Sequence, residues 1–160
     1  MPEQYEKRVT VKAIVLNEVG EFGFVTNEIH GCLLLAGGEA ESDDLEAEIV
    51  RECAEELGCN VEVVREVGRV RELRNREAKE YETICFFTKA IEKITEDRRT
   101  LGEKGVGLQA VWLPESEALR VLEEQVGKLQ RGEIGFYNTA FNVLRDHKFF
   151  SEFLRARAPT

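Results

Sequence analysis

The sequence has few of the residues on which several common kinds of site depend. It contains two histidines and four cysteines among 160 residues, and no two cysteines form a Cys-x-x-Cys pair. A zinc site is therefore not expected, because structural zinc sites use closely spaced cysteine and histidine ligands. Neither histidine has neighbours that indicate a catalytic triad. We interpret the cysteines as buried free thiols in a reducing cytoplasm.

Long apolar runs are also missing. No run approaches the roughly 18 residues that a membrane-spanning helix needs, and the polar residues 1–7 lack the apolar stretch of a signal peptide. The net charge of −9 disfavours binding to an anionic polymer or surface, because such binding depends on cationic contacts with phosphates. We therefore expect a cytoplasmic protein that binds neither a nucleic acid polymer nor a membrane. A small phosphorylated substrate is not excluded, because a bound divalent cation changes the local field.

Length and composition predict one globular domain. The chain of 160 residues is 42% hydrophobic and 33% charged, which is ordinary for a soluble globular protein. No internal repeat or low-complexity segment interrupts it. We expect a single domain over residues 1–160, with its core at about 8–128 and a C-terminal helical segment at about 135–156.

The hydrophobic pattern predicts interleaved strands and helices without regular βαβ spacing. This order favours a mixed sheet with helices on both faces, an α/β/α sandwich. A charged loop is expected over 92–105, and one or two helices over 135–154. The predicted strands are 9–16, 22–26, 32–35, 61–70, 81–91 and 107–113, and the other predicted helices are 44–57 and 115–128.

The helix predicted at 44–57 has an acidic face. At about 100° per residue, four glutamates share one face with a single arginine, and no lysine at i+4 relieves their repulsion. Asp43 is expected to cap this helix with Glu46 as its capping-box partner, and Gly58 to end it. The acidic face consists of Glu48, Arg51, Glu52, Glu55 and Glu56, and the opposite apolar face of Ala47, Val50, Cys53, Ala54 and Leu57.

Such a cluster predicts a divalent metal site. Mg²⁺ takes oxygen ligands, usually a few carboxylates together with substrate phosphates. Glu52, Glu55 and Glu56 lie within one helical turn and are the candidate ligands. Gly37 and Gly38 are expected to form a turn just before the helix, and the backbone carbonyl of either glycine is a further candidate. The alternative is an ordinary surface helix with a solvated acidic face.

At these residues the chain resembles the Nudix hydrolases, whose motif reads G-x5-E-x7-R-E-U-x-E-E-x-G-U, with U an apolar residue. Residues 51–59 match every fixed position of the second half, with cysteine at both apolar positions. The first half departs from the motif. Placing Gly38 at the motif glycine puts Asp44 at the glutamate, with six residues rather than seven before Arg51. Counting back from Arg51 instead puts Asp43 at the glutamate and Gly37 at the glycine.

The resemblance covers about residues 8–128 and includes segments outside the motif. A short strand at 32–35 precedes the two glycines, a strand at 81–87 follows the helix, and an apolar strand at 110–114 precedes a later helix. We do not place the last thirty or so residues on the family pattern. The resemblance implies the Nudix fold, which is also an α/β/α sandwich.

The resemblance further implies Mg²⁺-dependent hydrolysis, with Mn²⁺ as a possible substitute, of a nucleoside diphosphate linked to another moiety. In this interpretation Glu55 and Glu56 are metal ligands, and Glu52 is a ligand or the general base. Arg51 would hold one of these carboxylates in place. Many such enzymes use a further acid from a distant loop, and Glu103 is the candidate here. A solvated loop glutamate is the alternative for that residue.

Partners follow from the same resemblance. The expected substrate is a small phosphorylated nucleotide, either a nucleoside triphosphate or a nucleotide sugar, and a homodimer is possible. Arg69 and Arg71 would share one face of a strand and are candidates for binding substrate phosphates. A solvated strand edge is the alternative for both.

Two other functions remain open from the sequence. One is a non-catalytic Nudix-fold module that binds a nucleotide and regulates a partner; the departures in the first half of the motif keep it open. The other is isopentenyl diphosphate isomerase chemistry, but no arrangement of cysteine and glutamate residues in the sequence requires it. The intact Arg51-Glu52-x-x-Glu55-Glu56 core favours hydrolysis, because a pure binding module has no evident use for these acids.

Overall fold

All six strands belong to one mixed sheet. The computed structural model describes residues 4–157, and the strands lie in the order β4-β5-β1-β3-β2-β6. Strands β1 and β5 run parallel, and the other neighbouring pairs are antiparallel. The strands are β1 (Glu6–Leu16), β2 (Glu21–Thr26), β3 (Leu34–Glu39), β4 (Cys59–Arg74), β5 (Lys79–Lys93) and β6 (Gln109–Pro114), and the helices are α1 (Leu45–Leu57), α2 (Leu101–Gly105), α3 (Glu115–Gln130) and α4 (Tyr137–Arg157).

Helices cover both faces of the sheet, which confirms the predicted α/β/α sandwich. Alternate residues of a strand point to opposite faces. On one face Val11 of β1 packs in a cluster with Ile49 and Cys53 of α1. On the other face Ile14 lies in a second cluster with Phe150 of α4, and this cluster also contains residues of α3.

Helix α1 begins one residue later than its predicted cap implied. Asp44, not Asp43, is the N-cap, and its carboxylate accepts a hydrogen bond from the amide of Ala47 at 3.2 Å. The predicted capping box of Asp43 with Glu46 was therefore wrong. Gly58 ends the helix as predicted, with φ of 65° in the left-handed region that favours glycine.

The two faces of α1 are not divided as the helical pattern predicted. Ala47, predicted on the apolar face, is exposed. Glu48 and Glu52, predicted on the acidic face, are buried, with exposed fractions of 6% and 7%. The acidic face therefore turns into the protein rather than out into bulk water. Burying carboxylates in this way is costly unless they are hydrogen-bonded or paired with cations.

Two other segments differ from the sequence-based prediction, and a third, at the C-terminus, agrees with it. Gly37 and Gly38 do not form a turn; they lie within β3 and pair with Lys12 and Val11. The charged segment at 92–105 is not entirely a loop, because it contains α2. The C-terminal segment forms a single long helix, α4.

Strands β4 and β5 pair irregularly. Strand β4 is longer than predicted and its pairing with β5 shifts register at three places. Such irregularities bend a strand.

Between residues 4 and 157, no helix is both long and apolar enough to cross a membrane.

Candidate metal centre and active site

Three carboxylates converge beside the middle of α1. One oxygen each of Glu52, Glu56 and Glu103 lies within 4.8 Å of the other two, and among the described residues this is the group with the spacing to hold a metal ion. Glu52 and Glu56 come from successive turns of α1, and Glu103 comes from α2. The cluster therefore joins the two elements that the sequence separates by about 50 residues.

Local structure holds Glu103 in position. Helix α2 begins with a capping box in which the Thr100 hydroxyl accepts from the Glu103 amide at 3.1 Å. The Glu103 carboxylate accepts in return from the Thr100 amide at 2.8 Å. This pair of hydrogen bonds satisfies two amides at the start of the helix. Glu103 is thus both the cap partner of α2 and a member of the carboxylate cluster.

The two glycines of β3 form the wall against which the acids lie. The amide of Gly37 donates a hydrogen bond to Glu56 at 2.7 Å. Gly37 has φ of +147°, and a Cβ there would lie 2.0 Å from the carbonyl oxygen of Val11. A Cβ on Gly38 would lie 2.7 Å from a carboxylate oxygen of Glu52. Neither position tolerates a side chain without displacing backbone or the cluster.

Arg51 connects the acids of α1. Its guanidinium donates to Glu48 at 2.5 Å, to Glu55 at 3.0 Å and to Glu52 at 3.3 Å. The hydrogen bond to Arg51 is the main reason that the pKa of Glu48 is lowered. A guanidinium carries five donors in a fixed plane, so one side chain can orient all three carboxylates. This placement agrees with the expectation that Arg51 holds a carboxylate of the site.

The surroundings of the cluster raise the pKa of two of its carboxyl groups. The pKa of Glu52 is raised to about 7, mainly by burial; Arg51 and Lys12 oppose the rise, and Glu55 and Glu103 add to it. Burial also raises the pKa of Glu56 well above its usual range, and a hydrogen bond with Glu103 adds to this.

A hydrogen bond between two carboxyl groups requires a proton on one of them. A divalent cation would replace that proton and stabilise all three groups in the ionised form. The donor set, which consists of carboxylate oxygens, is the set that Mg²⁺ and Mn²⁺ prefer. The residues of the cluster therefore fit a divalent metal.

A buried ion pair lies behind the glycine wall. The Lys12 ammonium donates to the carbonyl of Leu35 at 2.8 Å and lies 3.4 Å from Asp146 of α4. Asp146 is fully buried and accepts from the amide of Leu35 at 3.0 Å. The two charged side chains therefore bind both polar groups of Leu35, two residues before Gly37. They fix the part of β3 that presents the Gly37 amide to Glu56.

The other predicted site residues lie outside the carboxylate cluster. Glu55 is adjacent to it on α1 and accepts from Arg51. Arg69 and Arg71 lie on β4 in largely exposed ion pairs, Arg69 with Glu66 and Glu82, and Arg71 with Glu80. Roles for these residues, and for the Gly37 carbonyl as a ligand, stay predictions.

Sequence reasoning missed Lys12, Asp146 and Glu48. A lysine in the middle of a strand with otherwise apolar neighbours was a usable signal for Lys12, because lysine is rarely buried unless paired. No comparable signal existed for Asp146, which lies in a segment outside the motif. Glu48 shares a helical face with Glu52, but the sequence did not show that Arg51 would bind both.

Comparison with known proteins gives the fold. No family model matches the sequence, and no curated protein matches it either. Solved structures do match. A Nudix hydrolase from Nitrosomonas europaea aligns over 95% of this chain and 91% of its own with a TM-score of 0.69 at 13% identity. A MutT protein from Methanosarcina mazei Go1 aligns over 98% and 99% with a TM-score of 0.63 at 20% identity.

A third similar structure, a UDP-X diphosphatase, aligns over 69% of this chain and 52% of its own length, with a TM-score of 0.52 at 20% identity. The first two similarities extend over nearly the whole chain, including the C-terminal segment that the motif does not reach. Several solved Nudix and MutT proteins thus share the fold of this chain. The chain has the Nudix fold.

Proposed function

We propose that this protein is a Mg²⁺-dependent hydrolase that cleaves a pyrophosphate bond in a nucleoside diphosphate linked to another moiety. The observation that carries the proposal is the convergence of Glu52, Glu56 and Glu103, which lie within 4.8 Å of one another. The motif in residues 51–59 and the Nudix fold support it. A similar structure is that of a UDP-X diphosphatase, whose name describes a reaction of the same class.

A divalent cation at the cluster would neutralise charge on the substrate phosphates and so lower the barrier to attack. Glu52 and Glu56 are the proposed ligands from α1. Glu55 would join them as a ligand after exchanging its hydrogen bond to Arg51 for a bond to the metal. The Gly37 amide holds Glu56, and Arg51 orients Glu52. These contacts give the site its geometry before substrate arrives, which is the main contribution a protein makes to phosphoryl transfer.

In the reaction, the oxygen of a water molecule forms a bond to one phosphorus as the bridging P–O bond breaks. The electron pair of that bond leaves with the departing phosphate. The water loses a proton to a carboxylate of the cluster, and Glu52 and Glu103 are the two candidates for this base. A general base contributes roughly 10²- to 10⁴-fold to such a rate.

Glutamine variants separate the two roles. Replacing a metal ligand should weaken Mn²⁺ binding, measured by calorimetry, as well as activity. Replacing the base should lower kcat by roughly 100-fold or more and leave the Mn²⁺ affinity within a few fold. We expect Glu56→Gln to behave as a ligand variant. Glu52→Gln and Glu103→Gln should both be measured. The variant that lowers kcat but keeps the Mn²⁺ affinity identifies the base.

A nucleotide panel tests the proposal as a whole. The wild-type protein with Mg²⁺ is incubated with nucleoside triphosphates and nucleotide sugars, and released phosphate, pyrophosphate or nucleoside monophosphate is measured. Exposed Glu46 on the first turn of α1 provides a matched Glu→Gln control. Turnover that falls in Glu56→Gln but not in Glu46→Gln supports the proposal. Nucleotide binding without turnover across the panel would favour the non-catalytic binding module.

A further inference from the structure

Strand β4 is an open edge of the sheet. It pairs with β5 on one side, and no strand among residues 4–157 pairs with it on the other. The strand is 16 residues long and contains no proline, which would be unable to donate a backbone hydrogen bond to a further strand. The unpaired amide and carbonyl groups along such an edge can bind another strand.

The irregular pairing with β5 places five β4 side chains in a row on one face of the sheet. Residues directly opposite in a strand pair share a face, and the β5 partners of these five alternate along a regular strand. Ile84, one of the partners, packs in the cluster that contains α1 residues, so the row lies on the α1 face. The row, called here the β4 row, consists of Val63, Glu66, Arg69, Arg71 and Leu73, paired with residues 88, 86, 84, 82 and 80.

The β4 row is complementary to itself when it is read in the opposite direction. Two copies of β4 can lie antiparallel with Arg69 on a two-fold axis between them. Glu66 of each copy then falls opposite Arg71 of the other copy, and Val63 falls opposite Leu73. Opposite charges and apolar pairs in these positions stabilise an antiparallel strand pair.

The side chains of the β4 row are free to make these contacts. The Arg71 side chain is 70% exposed, that of Glu66 is 41% exposed, and Leu73 is 47% exposed. Two copies of Arg69 would meet at the axis. Each brings its own acids, Glu66 at 2.9 Å and Glu82 at 3.3 Å, and these offset the repulsion between the two guanidinium groups.

We infer that β4 is the surface through which two copies of this chain associate, by antiparallel pairing of their edges into one continuous sheet. Main-chain hydrogen bonds between the edges would supply the attraction, and the β4 row would fix the register. A two-fold interface repeats each contact away from the axis. A second copy is the partner that the row favours, because β4 itself carries the complementary order of charged and apolar residues.

Sedimentation velocity of the full chain at several concentrations measures this association. The wild type should form a dimer that dissociates on dilution. Arg71→Glu places an acid opposite Glu66 of the other copy at two symmetric contacts, so the dimer should weaken roughly tenfold. Glu66→Arg should weaken it similarly, by placing an arginine opposite Arg71. Arg120→Glu, in exposed ion pairs of α3, is the matched charge reversal and should dimerise as the wild type does.

Mixing the two single variants tests the register itself. In a dimer of Arg71→Glu with Glu66→Arg, opposite charges face each other again at both contacts. The mixture should therefore form a heterodimer with about the wild-type affinity, a result that misfolding of either variant cannot produce. A wild type that stays monomeric at every concentration would overturn the inference, and so would a dimer that neither reversal weakens. A mixture that associates no better than its components would overturn it as well.

Discussion

Glu56 is half-buried, hydrogen-bonded to the Gly37 amide and close to two other carboxylates. Without a cation this arrangement is costly, because burial and Glu103 both raise the pKa of Glu56. Residues placed for function in this way commonly reduce stability. The cost is visible only in the folded protein, since the unfolded chain leaves each glutamate in water.

Replacing Glu56 with glutamine should therefore stabilise the metal-free protein. The amide oxygen of glutamine can still accept from Gly37, and the repulsion with Glu52 is removed, so we expect a gain of about 1 kcal/mol in the free energy of unfolding. Urea unfolding in the presence of a chelator measures this. In saturating Mg²⁺ the order should reverse, because the wild type gains binding free energy. A metal-free Glu56→Gln less stable than the wild type would contradict the prediction.

Helix α2 is short, and its cap decides where Glu103 lies. Thr100→Val removes the hydroxyl that accepts from the Glu103 amide, and such caps are worth about 1 kcal/mol. We expect Thr100→Val to bind Mn²⁺ several-fold more weakly than the wild type, measured by calorimetry. Thr100→Ser keeps the hydroxyl and should bind as the wild type does. Equal affinities in the valine and serine variants would separate the cap from the metal site.

Strands β1 and β3 are connected to α4 by the ion pair of Lys12 and Asp146. Burial raises the pKa of Asp146, but Arg145 and Lys12 outweigh this and hold it below its usual value of 3.8. A carboxylate with a lowered pKa in the folded state stabilises the protein above about pH 4, and this stability is lost as the pH falls through the folded-state pKa. The unfolded chain binds more protons in that window, so stability rises with pH there.

We therefore expect the free energy of unfolding of the wild type to fall more steeply below pH 4 than that of a double variant without the charges, Lys12→Met with Asp146→Asn. Both charges are removed together, because removing one partner alone leaves a buried unpaired charge. Buried Arg145, which lies 2.9 Å from Asp146, keeps the Glu72 carboxylate at 3.8 Å as a partner in the double variant. Urea unfolding at several pH values between 5 and 3 measures the slope. Glu123→Gln, an exposed position on α3, should keep the wild-type slope. An equally steep slope in the double variant would contradict the assignment to Asp146.

The C-terminal helix belongs to the core of the molecule as a whole. Phe150 of α4 is fully buried and its ring lies 5.1 Å from that of Phe22 and 5.5 Å from that of Phe24. Phe149 and Phe153 are buried in the same layer. Helix α4 therefore covers the face of the sheet that lies opposite α1 and the carboxylate cluster.

Phe150→Ala should cost about 3–5 kcal/mol in the free energy of unfolding, because it removes a buried ring and leaves a cavity. Leu144→Ala on the same helix, where the side chain is 52% exposed, should cost less than about 1 kcal/mol. Urea unfolding measures both. Similar costs for the two variants would mean that α4 does not contribute to the core as described.

Prediction from the sequence succeeded where the controlling interactions are local. The row of acids on α1, the end of this helix at Gly58 and the alternation of the strands follow from helical and strand periodicity. The exposure of the two faces of α1 does not. The cap of α1 was misplaced by one residue, since Asp43 and Asp44 are both good caps and tertiary packing chooses between them. Gly37 and Gly38 were expected in a turn but lie in β3. Their pairing with β1 could not be predicted locally, because it involves residues more than 20 positions away.

The sequence by itself determined the sandwich of helices around a mixed sheet. It also determined the row of acids at Glu48, Glu52, Glu55 and Glu56. Both follow from short-range patterns of apolar and charged residues. Only the tertiary structure decided which acids meet. It brought Glu103 to Glu52 and Glu56, left Glu55 with Arg51, and placed Lys12 and Asp146 behind β3. Contacts between residues far apart in the chain depend on how whole elements pack, and no local pattern encodes that.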